Sequence, residues 1–200
     1  MKKIITILLL TCSVMTIHAQ KSKREEGIKL GIKGGLNVTS LMGDVEELSI
    51  RTSVHLGFLA EIIVSDNFSI QPELLYSGQG ATVDATGGGR IKLNYVTLPV
   101  LAKFPVVKGL SLEAGPQVGF LTSAKLKVKV VGFGSDTQGA NQLFKEIDFG
   151  FNLGAGYNIS KNAMVNVRYN LGLSNIAETE SGDTTTINNR VFSLSVGYIF

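Results

Sequence analysis

Hydrophobic and polar residues alternate along most of this chain with a period of two, the pattern of strands with one oily face and one wet face. The last eleven residues show it most cleanly. Phe192, Leu194, Val196, Tyr198 and Phe200 share one face, and Ser193, Ser195 and Gly197 lie on the other. Seven earlier segments repeat the pattern. The first sets Ile28, Leu30, Ile32, Gly34, Leu36 and Val38 against Lys29, Gly31, Lys33, Gly35 and Asn37. The second, over about 53–64, sets Val54, Leu56, Phe58, Ala60, Ile62 and Val64 against His55, Gly57 and Glu61, with Leu59 and Ile63 also on the inner side. The third, over about 68–79, puts Phe68, Ile70, Leu74 and Tyr76 opposite Ser69, Gln71, Glu73, Ser77 and Gln79. In the fourth, over about 91–104, Ile91, Leu93 and Tyr95 alternate in one register and Val96, Leu98, Val100, Ala102 and Phe104 in the other, so a bulge is expected near 94–96.

The fifth segment opposes Leu110, Leu112, Ala114, Val118 and Phe120 to Ser111, Glu113, Gly115, Gln117 and Gly119, and residues 125–130 keep its parity, as a strand continuing past a membrane would. The sixth opposes Ile147, Phe149, Phe151, Leu153, Ala155 and Tyr157 to Asp148, Gly150, Asn152, Gly154 and Gly156. The seventh opposes Val165, Val167, Tyr169, Leu171 and Leu173 to Asn166, Arg168, Asn170 and Gly172. The connections alternate in length: long at 39–52, with one helical turn expected through Val45–Leu48, short at 65–67, long at 80–90, short at 105–109, long at 122–145, short at 158–162 and long at 174–189. Strands of this length match the ~9 to 11 residues that a tilted strand needs to cross hydrocarbon. Alternating loop lengths are what an up-and-down barrel produces when both termini lie on one side. The expectation is an all-β, eight-stranded antiparallel up-and-down transmembrane β-barrel over 28–200, its last strand pairing with its first to remove the sheet edge. Pro72, Pro99 and Pro116 fall inside strands, where each removes a ladder hydrogen bond, so bulges are expected there.

The amino terminus adds a destination. Met1-Lys2-Lys3 is positive, Ile4 to Val14 is apolar, and Ile17-His18-Ala19 offers a small residue at a cut, the layout of a signal peptide over 1–19 followed by a polar tail over 20–27. Lipidation at Cys12 is the rival reading, but Thr11 suits it poorly and the apolar stretch before it is short. Only helices and closed barrels satisfy their backbones inside lipid, and no later stretch is long and apolar enough for a helix. An exported membrane form is therefore a barrel in the bacterial outer membrane, with both termini periplasmic. Composition changes little else. With 23 glycines, one cysteine and no tryptophan, the chain is not a disulfide scaffold. A net charge of +3, two of it from Lys2 and Lys3, gives no reason to expect nucleic acid as a partner.

Four stretches also carry a resemblance. Gly31-Ile32-Lys33-Gly34-Gly35-Leu36-Asn37, Gln71-Pro72-Glu73-Leu74-Leu75-Tyr76-Ser77, Tyr95-Val96-Thr97-Leu98-Pro99-Val100-Leu101-Ala102-Lys103-Phe104 and Glu113-Ala114-Gly115-Pro116-Gln117-Val118-Gly119 resemble the PorT-like outer-membrane β-barrel family of Bacteroidetes. The resemblance implies an outer-membrane barrel in which the strand prolines are family features. By fold analogy alone it also points to a part in a secretion apparatus and to secretion-complex proteins as partners.

Eight strands enclose an interior that side chains can fill. Lys33, Glu61, Glu73, Lys103, Glu113, Asp148 and Arg168 are the inward ionisable residues, and they are expected to pair across the lumen as a polar network. Inward glycines, including Gly35, Gly57, Gly115, Gly154 and Gly172, would make room for them. A conducting or ligand-binding lumen is the competing reading. His55, with Ser53 and Glu61 on its strand, raises a lipid-modifying hydrolase, but no serine motif supports it. No metal site is expected, since no second histidine or cysteine accompanies His55, and no cofactor is expected. Gly87-Gly88-Gly89 and Gly154-Ala155-Gly156 lack the rest of a nucleotide-binding motif. Lys125, Lys127 and Lys129 could meet lipopolysaccharide phosphates, although a solvated strand face explains them as well. Tyr76, Tyr95, Tyr157, Tyr169 and Tyr198 suggest an interfacial girdle. Tyr198 and Phe200 end the final strand in the manner of an assembly signal read by barrel-assembly machinery. The remaining expected partners are outer-membrane lipid and lipopolysaccharide.

Overall fold

A computed structural model describes residues 27–44, 48–83, 89–130, 134–178 and 185–200. The expected leader, the cut after Ala19, Cys12 and the tail up to residue 26 lie outside them, as do Val45, Gly87 and Gly88. The described chain forms β1 (Ile28–Gly43), β2 (Leu48–Ser49), β3 (Arg51–Ser65), β4 (Phe68–Val83), β5 (Gly89–Val107), β6 (Leu110–Val130), β7 (Gly134–Gly139), β8 (Ile147–Asn158), β9 (Ala163–Gly172) and β10 (Ile187–Ile199). Among the described residues no helix is long and apolar enough to cross a membrane.

Every strand that reaches across the sheet finds two antiparallel neighbours. The pairing runs β4–β3–β1–β10–β9–β8–β6–β5 and returns to β4, so eight strands form a ring. The last strand closes on the first: Gly31 lies opposite Ile199, Leu36 opposite Leu194 and Gly43 opposite Ile187. Closure leaves no row of unpaired backbone groups, which is what lipid requires. β2 continues the line of β3 along β4, and β7 pairs with β6 as a hairpin beyond the ring. Both described ends of the chain lie at the end of the ring that has the short turns, 66–67, 108–109 and 159–162.

The burial pattern is the inverse of a water-soluble core. Large apolar side chains face outward on every ring strand, among them Leu36, Phe58, Leu112, Phe149, Val167 and Leu194, whereas Gln71, Asn152, Asn166 and Glu73 are buried inside. The period-two reading placed these faces correctly on β1, β3, β4, β8, β9 and β10. Tyr157 and Tyr198 stand outward near the short-turn end, with Phe200 packed edge-on against Tyr198 at 5.9 Å.

Four expectations need correction. No register shift occurs at Pro72, Pro99 or Pro116: Pro72 lies opposite Val100, Pro99 opposite Gln117 and Pro116 opposite Phe151, all in ladders that keep one register on either side. Each proline forfeits a hydrogen bond, and the flanking pairs hold the alignment. The shift near residue 94 exists, but the extra residue is Thr122 on β6, since Asn94 pairs with Ser123 and Tyr95 with Leu121. The Thr122 hydroxyl donates to the Asn94 carbonyl at 2.8 Å. β5 therefore never changes parity, and Ile91, Leu93 and Tyr95 face inward, Tyr95 being fully buried and not part of a girdle. Beyond Thr122 the parity of β6 flips, so Ala124 and Leu126 turn inward and Lys125 outward.

The long connections are also shorter than expected, because β1, β4, β5 and β6 overrun the amphipathic stretch. Their backbones go on pairing beyond it, and Leu48, the one described residue of the expected helical turn, pairs as a strand with Val83, while residues 45–47 of that turn lie outside the described residues.

Gly35 shows how tightly the closing seam is built. A Cβ there would collide with the backbone carbonyl of Leu194 and stand 2.7 Å from Ser195 Cα, neither of which can move without opening the ladder. Gly35→Ala should therefore destabilise the folded barrel by about 1–3 kcal/mol in urea unfolding from detergent micelles. Gly139→Ala, where nothing lies within 4 Å, should change it by less than about 0.5 kcal/mol.

Candidate functional site

Six ring strands each contribute one charged side chain to a cluster in the interior: Lys33 from β1, Glu61 from β3, Glu73 from β4, Lys103 from β5, Glu113 from β6 and Arg168 from β9. Three are cationic and three anionic, so the set is neutral. Glu73 is at the centre. Arg168 grips it with both terminal nitrogens, Nη1 to Oε2 at 2.7 Å and Nη2 to Oε1 at 2.9 Å. Lys33 Nζ reaches Oε1 at 3.2 Å and Gln71 Nε2 donates to it at 2.6 Å. Arg168 Nη2 also donates to Glu113 Oε2 at 3.0 Å, and Asn166 Nδ2 donates to Glu113 Oε1 at 2.7 Å. Lys103 joins the other arm, bonding Gln71 Oε1 and Glu61 Oε1, both at 2.9 Å. Ser69 donates to the same Glu61 oxygen at 3.0 Å. A bidentate Arg–carboxylate pair fixes geometry as well as charge.

Register explains why these groups meet. Arg168 and Glu113 are the two cross-strand neighbours of Gly154, which has no side chain to stand between them. Lys33 lies between Gly57 and Gly197 in the same way. At Gly156 a Cβ would come within 2.6 Å of both Glu113 Oε1 and Asn166 Nδ2. Glycine beside Lys33, Glu113 and Arg168 is thus part of the site.

Asp148, the seventh residue singled out from sequence, sits apart from this cluster. It lies near the long-connection end and accepts from Ser174 Oγ and Asn189 Nδ2, both at 2.7 Å. Beyond it an apolar cluster occupies the interior at that end: Leu41, Leu93, Tyr95, Phe144 and Ile176, with Ala81, Ala124 and Ala140. Ile176 lies in the described segment 173–178, where Ala177 bridges Phe144 and the Ile176 carbonyl accepts from Lys145 N at 2.8 Å.

Between Asp148 and the charged cluster lies a hydrogen-bonded layer around His55. Asn37 Nδ2 donates to the Gly78 carbonyl at 3.0 Å, which orients the amide, so its Oδ1 accepts from His55 Nδ1 at 2.7 Å. In the neutral ring His55 Nε2 then accepts from Ser195 Oγ at 2.8 Å. Ser195, His55 and Asn37 thus have the connectivity of nucleophile, base and orienting group. Sequence reading offered Ser53, but that hydroxyl donates to the Gly78 carbonyl at 2.6 Å. The adjoining cavity of about 30 Å³ is lined by His55, Lys33, Arg168 and Gln79, a volume on the scale of water and far too small for an acyl chain. Gln79 Oε1 and Arg168 Nε, on two of the lining residues, have no hydrogen-bond partner among the described residues. A second cavity, of about 80 Å³, opens at the short-turn end beside Glu61, Lys103 and Ser69. Among the described residues no group of three metal-ligating side chains converges.

Sequence reasoning missed Ser195, Asn37, Gln71 and Asn166 as parts of the site. All four sat on the polar face, but alternation says which way a residue points and not which distant residue it meets.

The family model for an outer membrane protein beta-barrel domain matches residues 18–178. No curated protein matches the chain. Ail, the attachment invasion locus protein of Yersinia pestis, solved with the heparin analogue sucrose octasulfate, is similar with a TM-score of 0.52 at 13% identity, over 86% of this chain and 99% of its own. Neisserial surface protein A gives 0.55 at 11% identity, over 88% of this chain and 100% of its own. At such identities the likeness is one of fold.

Removing one member of a buried ion pair strands its partners. Glu73→Gln, which leaves Lys33 and Arg168 facing each other, should cost about 3–5 kcal/mol of unfolding free energy. Asp148→Asn, whose two partners are uncharged, should cost about 1 kcal/mol, both read from urea titrations in micelles.

Proposed function

This chain belongs to the outer membrane protein beta-barrel family, and from that premise we propose that it is a non-enzymatic barrel whose lumen is filled by its own side chains and whose long connections serve recognition at the cell surface. The observation that carries the reading is the neutral cluster of three cations and three carboxylates, supplied by six strands and joined into one network about Glu73 and Arg168. Polar groups that line a channel keep their charges hydrated. Here they are matched to one another, and the cavities beside them, of about 30 and 80 Å³, have room for only a few waters. The apolar cluster of Leu93, Tyr95, Phe144 and Ile176 adds a dry layer at the long-connection end.

Both termini are read as periplasmic, with the signal peptide over 1–19 directing export. Short turns inside, long connections outside and Tyr198 with Phe200 at the inner interface support that orientation. Tyr198 and Phe200 are read as the tag for assembly machinery; the Phe200 amide is already held by the Leu30 carbonyl at 2.8 Å, so recognition would precede closure. The Ser195–His55–Asn37 chain is read as a structural hydrogen-bond relay, because its cavity is too small for an acyl substrate. Membership of the PorT-like group, and a place in a secretion apparatus, rest on the four resembling stretches alone.

Single-channel recording in planar bilayers tests the filled lumen. The wild-type protein, with its heat-dependent gel mobility confirming folding, should show no steady conductance, and Glu73→Ala with Arg168→Ala in one chain should open measurable steps. A steady wild-type conductance would overturn the reading. Copurification with a stable envelope complex would favour the secretion role.

A further inference from the structure

The barrel wall toward the long-connection end carries four cations that the interior network does not use. β5 and β6 pair there with Lys92 opposite Lys125 and Arg90 opposite Lys127, so like charges face each other in two successive rows. Their direction follows from their neighbours. Ile91 and Leu93 on β5, and Ala124 and Leu126 on β6, pack in the interior cluster, which leaves Arg90, Lys92, Lys125 and Lys127 on the outer surface. Directly opposed residues stand roughly 5 Å apart and same-face residues along a strand roughly 7 Å apart. Four positive charges therefore share an area comparable with one phosphorylated sugar.

Opposed like charges weaken a ladder, so the arrangement calls for something that offsets them. The neighbouring strands do not supply it: Lys92 lies opposite Gly80 on its other side, and Lys125 opposite Gly139. None of the four forms an ion pair with a described residue. Other arginines at this end are engaged within the protein. Arg190 donates to the carbonyls of Gly172 and Asn189, and Arg51 to that of Gln79.

Height on the wall selects the counter-charge. The last outward apolar pair below the block is Val96 opposite Phe120, followed by Asn94 and the bulged Thr122. Lys92 stands four residues beyond Val96, about 13 Å along the strand and about 10 Å along the barrel axis at the usual tilt. Hydrocarbon gives way to headgroups over about 5–8 Å on each side of a bilayer. Lys92 and Lys125 thus stand outward just beyond the headgroup layer, with Arg90 and Lys127 two residues farther out, and long flexible side chains at this height bend back so that their charged ends reach lipid phosphates.

We propose that Arg90, Lys92, Lys125 and Lys127 form a binding site for the phosphate groups of an anionic lipid in the leaflet at the long-connection end. This rests on the membrane placement and orientation proposed above, in which that lipid is the lipopolysaccharide of the outer leaflet. The block then explains why the bulge at Thr122 matters: without the extra residue, Lys125 and Lys127 would point into the interior, and Ala124 and Leu126 would meet the headgroups.

Native mass spectrometry of the full chain in phosphatidylcholine nanodiscs tests the proposal with two probes, diphosphoryl lipid A and lipid A stripped of both phosphates. The wild type should retain the phosphorylated form at least tenfold better than the stripped form. K92Q with K125Q should lose that preference about tenfold, and K92R with K125R should keep it. Equal retention of the two probes, or an unchanged preference in the glutamine variant, would overturn the site. So would sucrose octasulfate binding with the same affinity as phosphorylated lipid A and competing with it, which would mean a water-facing patch. Failure of the wild type to insert into nanodiscs would overturn the membrane placement itself, and is distinguishable because no barrel would then be recovered with any lipid.

Discussion

Inside a bilayer no water reaches the backbone, so a strand that enters must be paired along both of its edges. That constraint sets the geometry of this protein. It brings β10 back to β1, makes the outer face apolar all round, and encloses a space about as wide as the side chains that point into it. Polar residues are on the inside because alternation leaves them nowhere else. Once enclosed they must satisfy one another, since an unpaired charge there is far more costly than a matched one. The neutral set about Glu73 and Arg168 is the answer this chain gives to a requirement that originates in the ladder.

The glycines belong to the same argument. A small ring cannot hold a long side chain on every inward position of a row, and the register puts glycine next to three of them: Gly154 between Glu113 and Arg168, Gly57 and Gly197 on either side of Lys33. At Gly35 the demand comes from the backbone instead, where two strands approach too closely for a Cβ. Packing in the interior and pairing in the wall thus restrict the same positions. Substitutions at these glycines and at the charges they accommodate should therefore be strongly coupled.

Much of this was legible in the amino-acid pattern. Period-two alternation assigned inward and outward faces on six strands, and the run of loop lengths pointed to an up-and-down ring. Reading failed where alternation carries two meanings. Ile91, Leu93 and Tyr95 are apolar and alternate, as lipid-facing residues do, yet they fill the interior at the long-connection end. The strand they sit on has already left the hydrocarbon there, so its apolar side faces a loop-covered cluster. The bulge was expected close to its true height, but on β5, because sequence shows a change of phase and not which partner strand absorbs it. The prolines misled in the opposite direction: a lost hydrogen bond need not displace a ladder that is aligned on both sides. In the candidate site, the charged members were visible as inward residues, but the separation of Asp148 from the other six, and the meeting of Ser195 with His55 across 140 residues of chain, depend on closure and could not be read locally.

The central claim is that the interior charges act as one unit. A double-mutant cycle on Glu73→Gln and Arg168→Met, followed by urea unfolding of each folded barrel, measures it directly. If the account is right, the double variant is no less stable than the weaker single variant, and the coupling reaches at least about 2 kcal/mol. Two single effects that add to within about 0.5 kcal/mol would show that the two residues do not depend on each other, and would contradict it.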